Sequence, residues 1–444
     1  MLNSALLRLR AERELIGWPI GVIALCVSFL PAPLGAIAAL LLLIGSFVHP
    51  IAGLASLLVL LPFATVPVGI GSFQLQLAEL SMLSVILGAG LNLAFQRTQI
   101  AKYEPKILDW AGVVLLVGSS LSFVAVESFD DALRAWRWTI VEPLVIYAIA
   151  RAFIRSPGHI RILLWSLVLG GVIVSLFGLV HYLLNVNIIT ADDVRRIRVF
   201  YGSPNNLALV LGRIIPVALA LALVYRQTIA NWVGVVLVAT SMALTFSIGG
   251  WIATPIAVFT VLWLSARRRL AIVLLAGALV LAAVLMVAGP GQRVSSHLSW
   301  EDGTTGLRIS LWRASIAMAL DHPFFGVGPD NFLLHYDETY RLPEAWQEPH
   351  LSHPHNLILD FWLSAGLLGI ASLVMIIVAW ARYLAQRLNP ASESVRVYAA
   401  GIAGAGVYAV CHGLIDNSYF IVDLALWFWL MSAILCRPAN EDVT

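Results

Sequence analysis

The stretch HNLILDFWLSAGLLG at His355–Gly369 marks the point where a long polar loop ends and an apolar segment begins. His355 and Asn356 open it, and nine mostly apolar residues separate them from Gly366. Gly366 and Gly369 form a pair of small residues that lets another helix approach closely. A titratable imidazole at the boundary of water and membrane indicates proton chemistry on a substrate held at the bilayer surface.

The composition assigns the rest of the chain to a membrane. Of 444 residues, 60% are hydrophobic and only 12% are charged, whereas a soluble domain carries about 25% charged residues. Apolar runs of about 15–25 residues recur along the chain, and a helix of that length crosses a bilayer. We therefore predict an all-α polytopic integral membrane protein with about 12 (range about 12–14) transmembrane helices and one large, partly helical loop.

The predicted spans form one integral-membrane domain around that loop. Residues 1–288 hold the N-terminal transmembrane helices, 289–355 the large loop with its surface helices, and 356–444 the C-terminal transmembrane helices. If successive spans cross the membrane in alternate directions, the short basic loops lie on the same side as the N-terminal arginines. These arginines precede an uncleaved first span. The large loop holds four Arg and eight Asp or Glu. This asymmetry predicts cytoplasmic termini and a loop on the outer face.

Arginines mark a candidate anion site near the outer face. Arg213 lies well inside the apolar segment that begins at Asn205, where a guanidinium is costly and usually functional. Arg196 and Arg198 precede a helix start at Ser203–Asn206. Arginine forks match phosphate oxygens, and helix N-termini favour anions. In the plainer interpretation, the loop arginines only bind anionic lipid headgroups or solvate the loop.

The large loop contributes a further pair of arginines. Apolar residues recur at helical spacing from Gly306 to Leu320, which predicts an amphipathic helix on the membrane surface. Arg308 and Arg313 are five residues apart on this helix. We expect one of them to turn inward while the other meets solvent.

His355 is the candidate general base, although a lone histidine at a helix start is more often structural. His353 before it and Asn356 after it strengthen the catalytic interpretation. Asp360 follows five residues later, off the same helical face, and is not expected to orient the imidazole. His335 and His350 are expected to be solvated. Four further polar residues are expected to pair with Arg137 or Arg213: Glu79, Glu142, His412 and Asp416.

Metal, cofactor and nucleic-acid motifs are not found in the sequence. The His353-Pro354-His355 run is too short and constrained to suggest a metal site by itself. The Gly326-Val327-Gly328 run lacks the strand and helix of a nucleotide-binding fingerprint and is typical of a turn. We therefore expect no metal, no cofactor and no nucleic-acid partner.

The order of the loop motifs resembles the O-antigen ligase/polymerase superfamily. The motifs are R-x-x-L-W at Arg308–Trp312, H-P-x-x-G-V-G at His322–Gly328, and H-N-x9-G-x-x-G at His355–Gly369. The helix start at Pro204-Asn205 also matches. One departure is that many relatives carry Ser-Arg-Gly where this chain has Ser247-Ile248-Gly249, so that arginine is missing.

The resemblance implies a metal-independent glycosyltransferase of the bacterial inner membrane with its active site facing the periplasm. Its donor would be a glycan linked to undecaprenyl pyrophosphate, and its acceptor a lipid A–core sugar, both presented among membrane lipids. By the same resemblance His355 would be the base, supported by His353, Asn356 and Arg313. The pyrophosphate would be held by arginines of this chain: Arg196, Arg198, Arg213 and Arg308.

Two other functions stay open at the level of sequence. An O-antigen or exopolysaccharide polymerase uses the same chemistry with a lipid-linked acceptor, and the motifs do not separate it from a ligase. A polytopic transporter could use Arg213 and Glu142 in a substrate path, but it would not need a long ordered loop with a histidine at its exit.

Overall fold

In a computed structural model, the structure describes residues 17–28, 35–70, 73–95, 97–98, 100, 104–191, 194–287, 304–346, 350–389 and 392–437. The N-terminal arginines at positions 8, 10 and 13 and the first residues of the large loop lie outside these ranges.

Helices make up nearly all of the described regular structure. The N-terminal half contains α1 Gly17–Ser28, α2 Gly35–Val48, α3 Pro50–Leu60, α4 Leu77–Ala94, α5 Ile107–Leu121, α6 Phe129–Trp136, α7 Glu142–Phe153, α8 Pro157–Leu184 and α9 Pro204–Val224. The C-terminal half contains α10 Ile229–Leu244, α11 Ile248–Leu264, α12 Arg268–Val287, α13 Thr304–Asp321, α14 Phe332–His335, α15 Leu357–Leu388, α16 Glu393–Gly413 and α17 Val422–Cys436.

The helices confirm the all-α polytopic class. Within the described residues, six helices are long and apolar enough to cross a membrane, and six shorter apolar helices of 10–17 residues accompany them. α9 is the most central, because nearly all of its residues are buried against α16, α10 and α11. The outer helices expose large apolar side chains such as Leu40, Leu87 and Val236, as a lipid-facing surface requires.

Two small antiparallel hairpins were not expected from the sequence. Strand β1 (Pro67–Ile70) pairs with β2 (Phe73–Gln76), and β3 (Ile188–Ala191) pairs with β4 (Val194–Ile197). Each hairpin connects two membrane helices, and strands this short carry too few residues to show a periodic pattern. The second hairpin holds Arg196, so it positions part of the predicted anion site.

The large loop packs on α15 through a break in that helix at Gly366. Gly366 adopts φ 61° and ψ −153° inside the helix, a region of backbone space open essentially to glycine. The Leu363 carbonyl accepts hydrogen bonds from the N–H groups of Val327 (2.8 Å) and Gly328 (3.1 Å), so both of its lone pairs are used. The Trp362 indole donates to the Pro323 carbonyl at 3.0 Å.

Two glycines allow the loop backbone to touch the helix backbone. A Cβ on Gly366 would lie 1.9 Å from the Phe324 oxygen, and one on Gly326 would lie 2.2 Å from the Leu363 oxygen. We expected a second helix at the Gly366/Gly369 pair. Helix α5 does pack there through Gly118, but the closest approach at Gly366 is made by the loop.

We predict that Gly366→Ala destabilises the protein severely, by more than about 3 kcal/mol, because it adds both backbone strain and a clash with Phe324. The measurement is thermal unfolding of the detergent-solubilised protein, followed by size-exclusion profile. Gly90→Ala is the matched control, because a Cβ there meets nothing within 4 Å. Alanine at this helical position should leave the thermal unfolding midpoint unchanged or raise it slightly. Equal midpoints for the two variants would contradict the role given to Gly366.

Candidate functional site

His355 forms a hydrogen-bonded pair with a buried carboxylate. Its Nδ1 lies 2.8 Å from Oδ1 of Asp416, which belongs to the 414–421 loop between α16 and α17. The Asp416 side chain is 3% exposed, whereas that of His355 is 20% exposed. With the Nδ1 proton directed to Asp416, the second imidazole nitrogen is left as a proton acceptor.

The Asp416 carboxylate is held in its charged form by its neighbours. Burial by itself would raise the pKa of Asp416. The nearby imidazoles of His353, whose Nε2 is 3.6 Å from Oδ1, and of His355, which is hydrogen-bonded to Oδ1, outweigh burial and hold that pKa well below its ordinary value. The Asn417 backbone N–H also donates to Oδ1 at 2.9 Å. A carboxylate that stays ionised can orient an imidazole and stabilise the imidazolium formed when it takes up a proton.

The partner of His355 was missed from the sequence. We expected Asp416 and His412 to pair with Arg137 or Arg213, and that expectation is wrong for both. Oδ1 of Asp416 binds His355, and Oδ2 lies 3.9 Å from Nε2 of His412. A usable signal existed, because two successive spans after His355 return the chain to the same membrane face at position 416.

The residues flanking His355 fix its backbone. The Asn356 side chain caps α15 by accepting the N–H groups of Ile358 (3.0 Å) and Leu359 (3.2 Å). Its amide donates to the Leu414 carbonyl at 3.1 Å, which ties α15 to the 414–421 loop. The Trp312 indole of α13 lies 3.3 Å from the His355 carbonyl. Asn356 therefore has a structural role.

His353, His355 and Asp416 also form the arrangement of a small metal site. One ligand atom from each lies within 4.8 Å of the others, and the His353 and His355 rings are 4.1 Å apart between centroids. Imidazole and carboxylate ligands suit a zinc-like cation. Nδ1 of His355 and Oδ1 of Asp416 bind each other, whereas Nε2 of His353 and Oδ2 of Asp416 have no hydrogen-bond partner among the described residues. The same three side chains can therefore form a hydrogen-bonded pair or bind one ion, and removal of metal distinguishes the two.

Arg213 is a buried anchor for the loop that carries Asp416. Its terminal nitrogens donate to the Leu209 carbonyl at 2.7 Å and to the carbonyl and hydroxyl of Ser418, both at 2.6 Å. The residue is 1% exposed, and its guanidinium lies 5.3 Å from the Trp427 ring centroid. We expected Arg213 to pair with an acidic side chain. That expectation is wrong, because its terminal nitrogens bind backbone and hydroxyl oxygens instead.

Arg196 and Arg198 mainly contact the protein itself. Arg196 donates to the Thr245 carbonyl at 2.8 Å and to the Asn205 side chain at 3.0 Å. Arg198 donates to the Asn187 side chain at 3.0 Å. The helix start behind them is confirmed, since the Ser203 hydroxyl caps α9. These arginines position the hairpin against α9 and α10.

Arg308 lies on α13 one helical turn before Trp312, so the two share a face. The Trp312 indole on that face contacts the His355 carbonyl. Arg308 is half-buried, makes no hydrogen bond with another described residue, and interacts electrostatically with His412. Arg313 is exposed. The expectation that one of the two arginines turns inward while the other meets solvent agrees with this placement.

Three further expectations concern polar residues outside the pair. Glu79 and Glu142 both contact Arg137, as predicted. His335 was expected to be solvated, which is wrong. Its side chain is 12% exposed and lies 3.3 Å from a Glu127 carboxylate oxygen. Burial lowers the pKa of His335.

Two cavities flank the His355–Asp416 pair. The first, here called the polar cavity, has a volume of about 310 Å³ and is lined by Gln76, Arg134, Trp138, Asn206, Asp330, His353, Asp360, Asn417 and Asp423, together with less polar groups. The second, the apolar groove, has about 350 Å³. It is formed by α15, α16 and α17, begins at Leu357 and reaches Trp380.

Comparison with known proteins agrees with this arrangement. A family model described as O-antigen ligase matches residues 233–374, a range that contains all three loop motifs and His355 but not Asp416. A stretch of 182 residues is 24% identical to an uncharacterized protein of Haemophilus influenzae. It covers 37% of this chain and 45% of that protein, so the chain spans less than half of that relative. Residues 233–374 of the chain therefore match the O-antigen ligase family, which is the resemblance that the loop motifs predicted.

Proposed function

We propose that the protein is an O-antigen ligase, which moves a glycan from undecaprenyl pyrophosphate to a sugar hydroxyl of lipid A–core. The observation that carries the proposal is the 2.8 Å hydrogen bond between His355 and the buried Asp416. A nucleophilic hydroxyl needs a base, and a base works best when a third group fixes its orientation. The family match supports the same class of reaction.

The chemistry follows from the orientation of the imidazole. Nδ1–H of His355 donates to Asp416, and Nε2 takes the proton of the acceptor hydroxyl. The hydroxyl oxygen forms a bond to the anomeric carbon as the bond between that carbon and the pyrophosphate oxygen breaks. The electron pair leaves with undecaprenyl pyrophosphate. A single displacement of this kind inverts the anomeric centre.

Arg308 is the proposed phosphate-binding residue. It faces the pair from α13 and has a guanidinium that no described residue binds. Charge grows on the leaving pyrophosphate in the transition state, and a preorganised cation there lowers the barrier. Arg196 in strand β4 and Arg198 just after it would add positive electrostatic potential near the pyrophosphate. Arg213 acts as a positioning residue, because it holds the 414–421 loop through Ser418.

The apolar groove supports a lipid-linked donor. It begins two residues after His355 and is lined almost wholly by apolar side chains of the membrane helices. A polyprenyl tail could lie there while its pyrophosphate reaches Arg308. The proposal places the protein in the bacterial inner membrane, with both termini cytoplasmic and His355 at the periplasmic face.

The assay that tests the proposal combines purified protein, lipid-linked glycan and rough lipopolysaccharide. Glycan attached to lipid A–core supports ligation. Elongation of the lipid-linked glycan alone identifies a polymerase, which the same pair could serve. Uptake of substrate into proteoliposomes without new glycosidic bonds would identify a transporter and overturn the enzymatic proposal.

We predict that His355→Ala lowers turnover about 10²–10⁴-fold, the usual contribution of a general base. Asp416→Asn should lose turnover on the order of 10²-fold or more, because an amide no longer fixes the imidazole tautomer. Turnover is measured at saturating donor and acceptor, with thermal unfolding as a check on folding. His350→Ala is the control, since that histidine is exposed in the same loop. Retention of more than about a tenth of the turnover in His355→Ala would exclude the base assignment.

A second prediction concerns metal. We expect EDTA to leave turnover unchanged, because Asp416 orients the His355 imidazole through a direct hydrogen bond and an arginine can neutralise the pyrophosphate without an ion. Activity is measured after dialysis against the chelator, with and without added zinc, magnesium or manganese. Loss in EDTA with recovery on adding one ion would show that His353, His355 and Asp416 bind a metal instead.

A third prediction concerns the donor phosphate. Arg308→Lys keeps the charge but loses the bidentate fork, and we expect about a tenfold loss in kcat/KM for the donor. Arg313→Lys, on the exposed face of the same helix, should behave as wild type. Direct phosphate binding by Arg308 is wrong if both variants keep the wild-type value.

A further inference from the structure

We propose that the polar cavity is the acceptor-sugar site and that Asp360 and Trp138 bind the acceptor's hydroxyl or amine groups. The inference rests on the proposed function, because it takes one of the two substrates to be a saccharide with free hydroxyls. It adds the cavity in which that substrate binds, the kind of ligand that the cavity accepts and two residues that recognise the ligand.

The lining of the cavity does not suit the donor pyrophosphate. Among the described residues that line it, three are aspartates and only Arg134 is a permanent cation. Arg134 is already paired with Asp131. None of the four arginines predicted to hold pyrophosphate lines the cavity. The described lining therefore offers a polyanion no unpaired permanent cation, whereas its carboxyl and amide groups suit the hydroxyls of a sugar.

Two polar atoms in the lining have no partner within the described part of the chain. Oδ2 of Asp360 accepts no hydrogen bond although the residue is 5% exposed, and Nε1 of Trp138 donates none although that atom is buried. Unpaired buried polar groups are costly and rare, so each one needs a ligand or an ordered water. A hydroxyl can donate to the carboxylate of Asp360 and accept from the indole of Trp138, which a lipid chain cannot do.

The remaining lining is that of a small polar ligand site. Gln76, Asn206 and Asn417 bring amides from three separate elements. Asn417 accepts two backbone N–H groups of its own loop through Oδ1. A volume of about 310 Å³ is at the lower end of small-molecule pockets, which measure about 300–1,000 Å³.

The cavity lies beside the proposed base. His353 is in its wall, and the His353 and His355 rings are 4.1 Å apart between centroids. Asn417, also in the wall, directly follows Asp416. A sugar in the cavity would therefore lie against His353 and Asn417, the two wall residues that flank the His355–Asp416 pair.

The test separates acceptor binding from donor binding with two variants. Asp360→Asn should raise the KM for de-acylated rough lipopolysaccharide about tenfold. The substitution replaces a carboxyl oxygen, which can accept a hydrogen bond from a sugar hydroxyl, by an amide nitrogen. Trp138→Phe keeps the aromatic surface, loses the N–H donor and should raise the same KM about fivefold. The donor KM should stay within about twofold for both. Asp130→Asn and Trp346→Phe are the matched controls, since both residues are exposed and neither lines the cavity.

Binding provides a readout that does not need turnover. Titration calorimetry with soluble core oligosaccharide is run on His355→Ala protein, alone and combined with Asp360→Asn or Trp138→Phe. Weaker binding in both combinations supports the inference, and wild-type-like unfolding midpoints show that the fold is intact.

The failures are distinguishable. If the wild-type protein transfers no glycan, the proposed function is wrong, and oligosaccharide binding still decides the cavity. If it transfers glycan while both variants keep the wild-type acceptor KM and binding, the acceptor site alone is wrong. A rise in donor KM with an unchanged acceptor KM would assign the cavity to the donor sugar, which also overturns the inference.

Discussion

The break in α15 at Gly366 is the constraint on which the site depends. A helix that continued unbroken would keep the Leu363 carbonyl for its own ladder, and the loop would have no backbone partner on the membrane helix. With the break, Val327 and Gly328 bind that carbonyl, and the loop packs on the helix backbone. Only glycine permits both the conformation at Gly366 and the close contact with Phe324. The H-P-x-x-G-V-G and G-x-x-G motifs are therefore two halves of one contact.

The His355–Asp416 pair connects parts of the chain that are distant in sequence. His355 ends the loop, whereas Asp416 lies in the turn between the last two membrane helices. Burying a carboxylate is costly unless other groups bind it, and here His355 and the Asn417 backbone N–H donate to it while the His353 imidazole lies 3.6 Å away. Arg213 then holds the same turn from α9 through Ser418. Arg213 therefore stabilises the turn at Ser418, two residues after Asp416, and in this way holds the carboxylate in place.

Three chemically different surfaces meet at this pair. The apolar groove begins at Leu357, α13 presents Arg308, and the polar cavity has an acidic lining with unpaired polar atoms. A reaction between a lipid-linked anion and a hydroxyl-rich acceptor needs such a separation, because one environment cannot favour an apolar tail, a pyrophosphate and a sugar together. In the proposed reaction, His355 contacts both substrates only if each approaches from its own side.

The sequence by itself determined the all-α membrane class, the helix starts at Ser203 and Asn356, and the resemblance to the O-antigen ligase family. These follow from composition, run length and short motifs, which are local properties of the chain. It did not determine the partner of His355, the burial of Arg213 or the two hairpins. Each of these depends on contacts between segments far apart in sequence: Asp416 is 61 residues from His355 and Ser418 is 205 from Arg213. Only packing brings such groups together, so the tertiary structure decided which arginine is an anchor and which carboxylate binds His355.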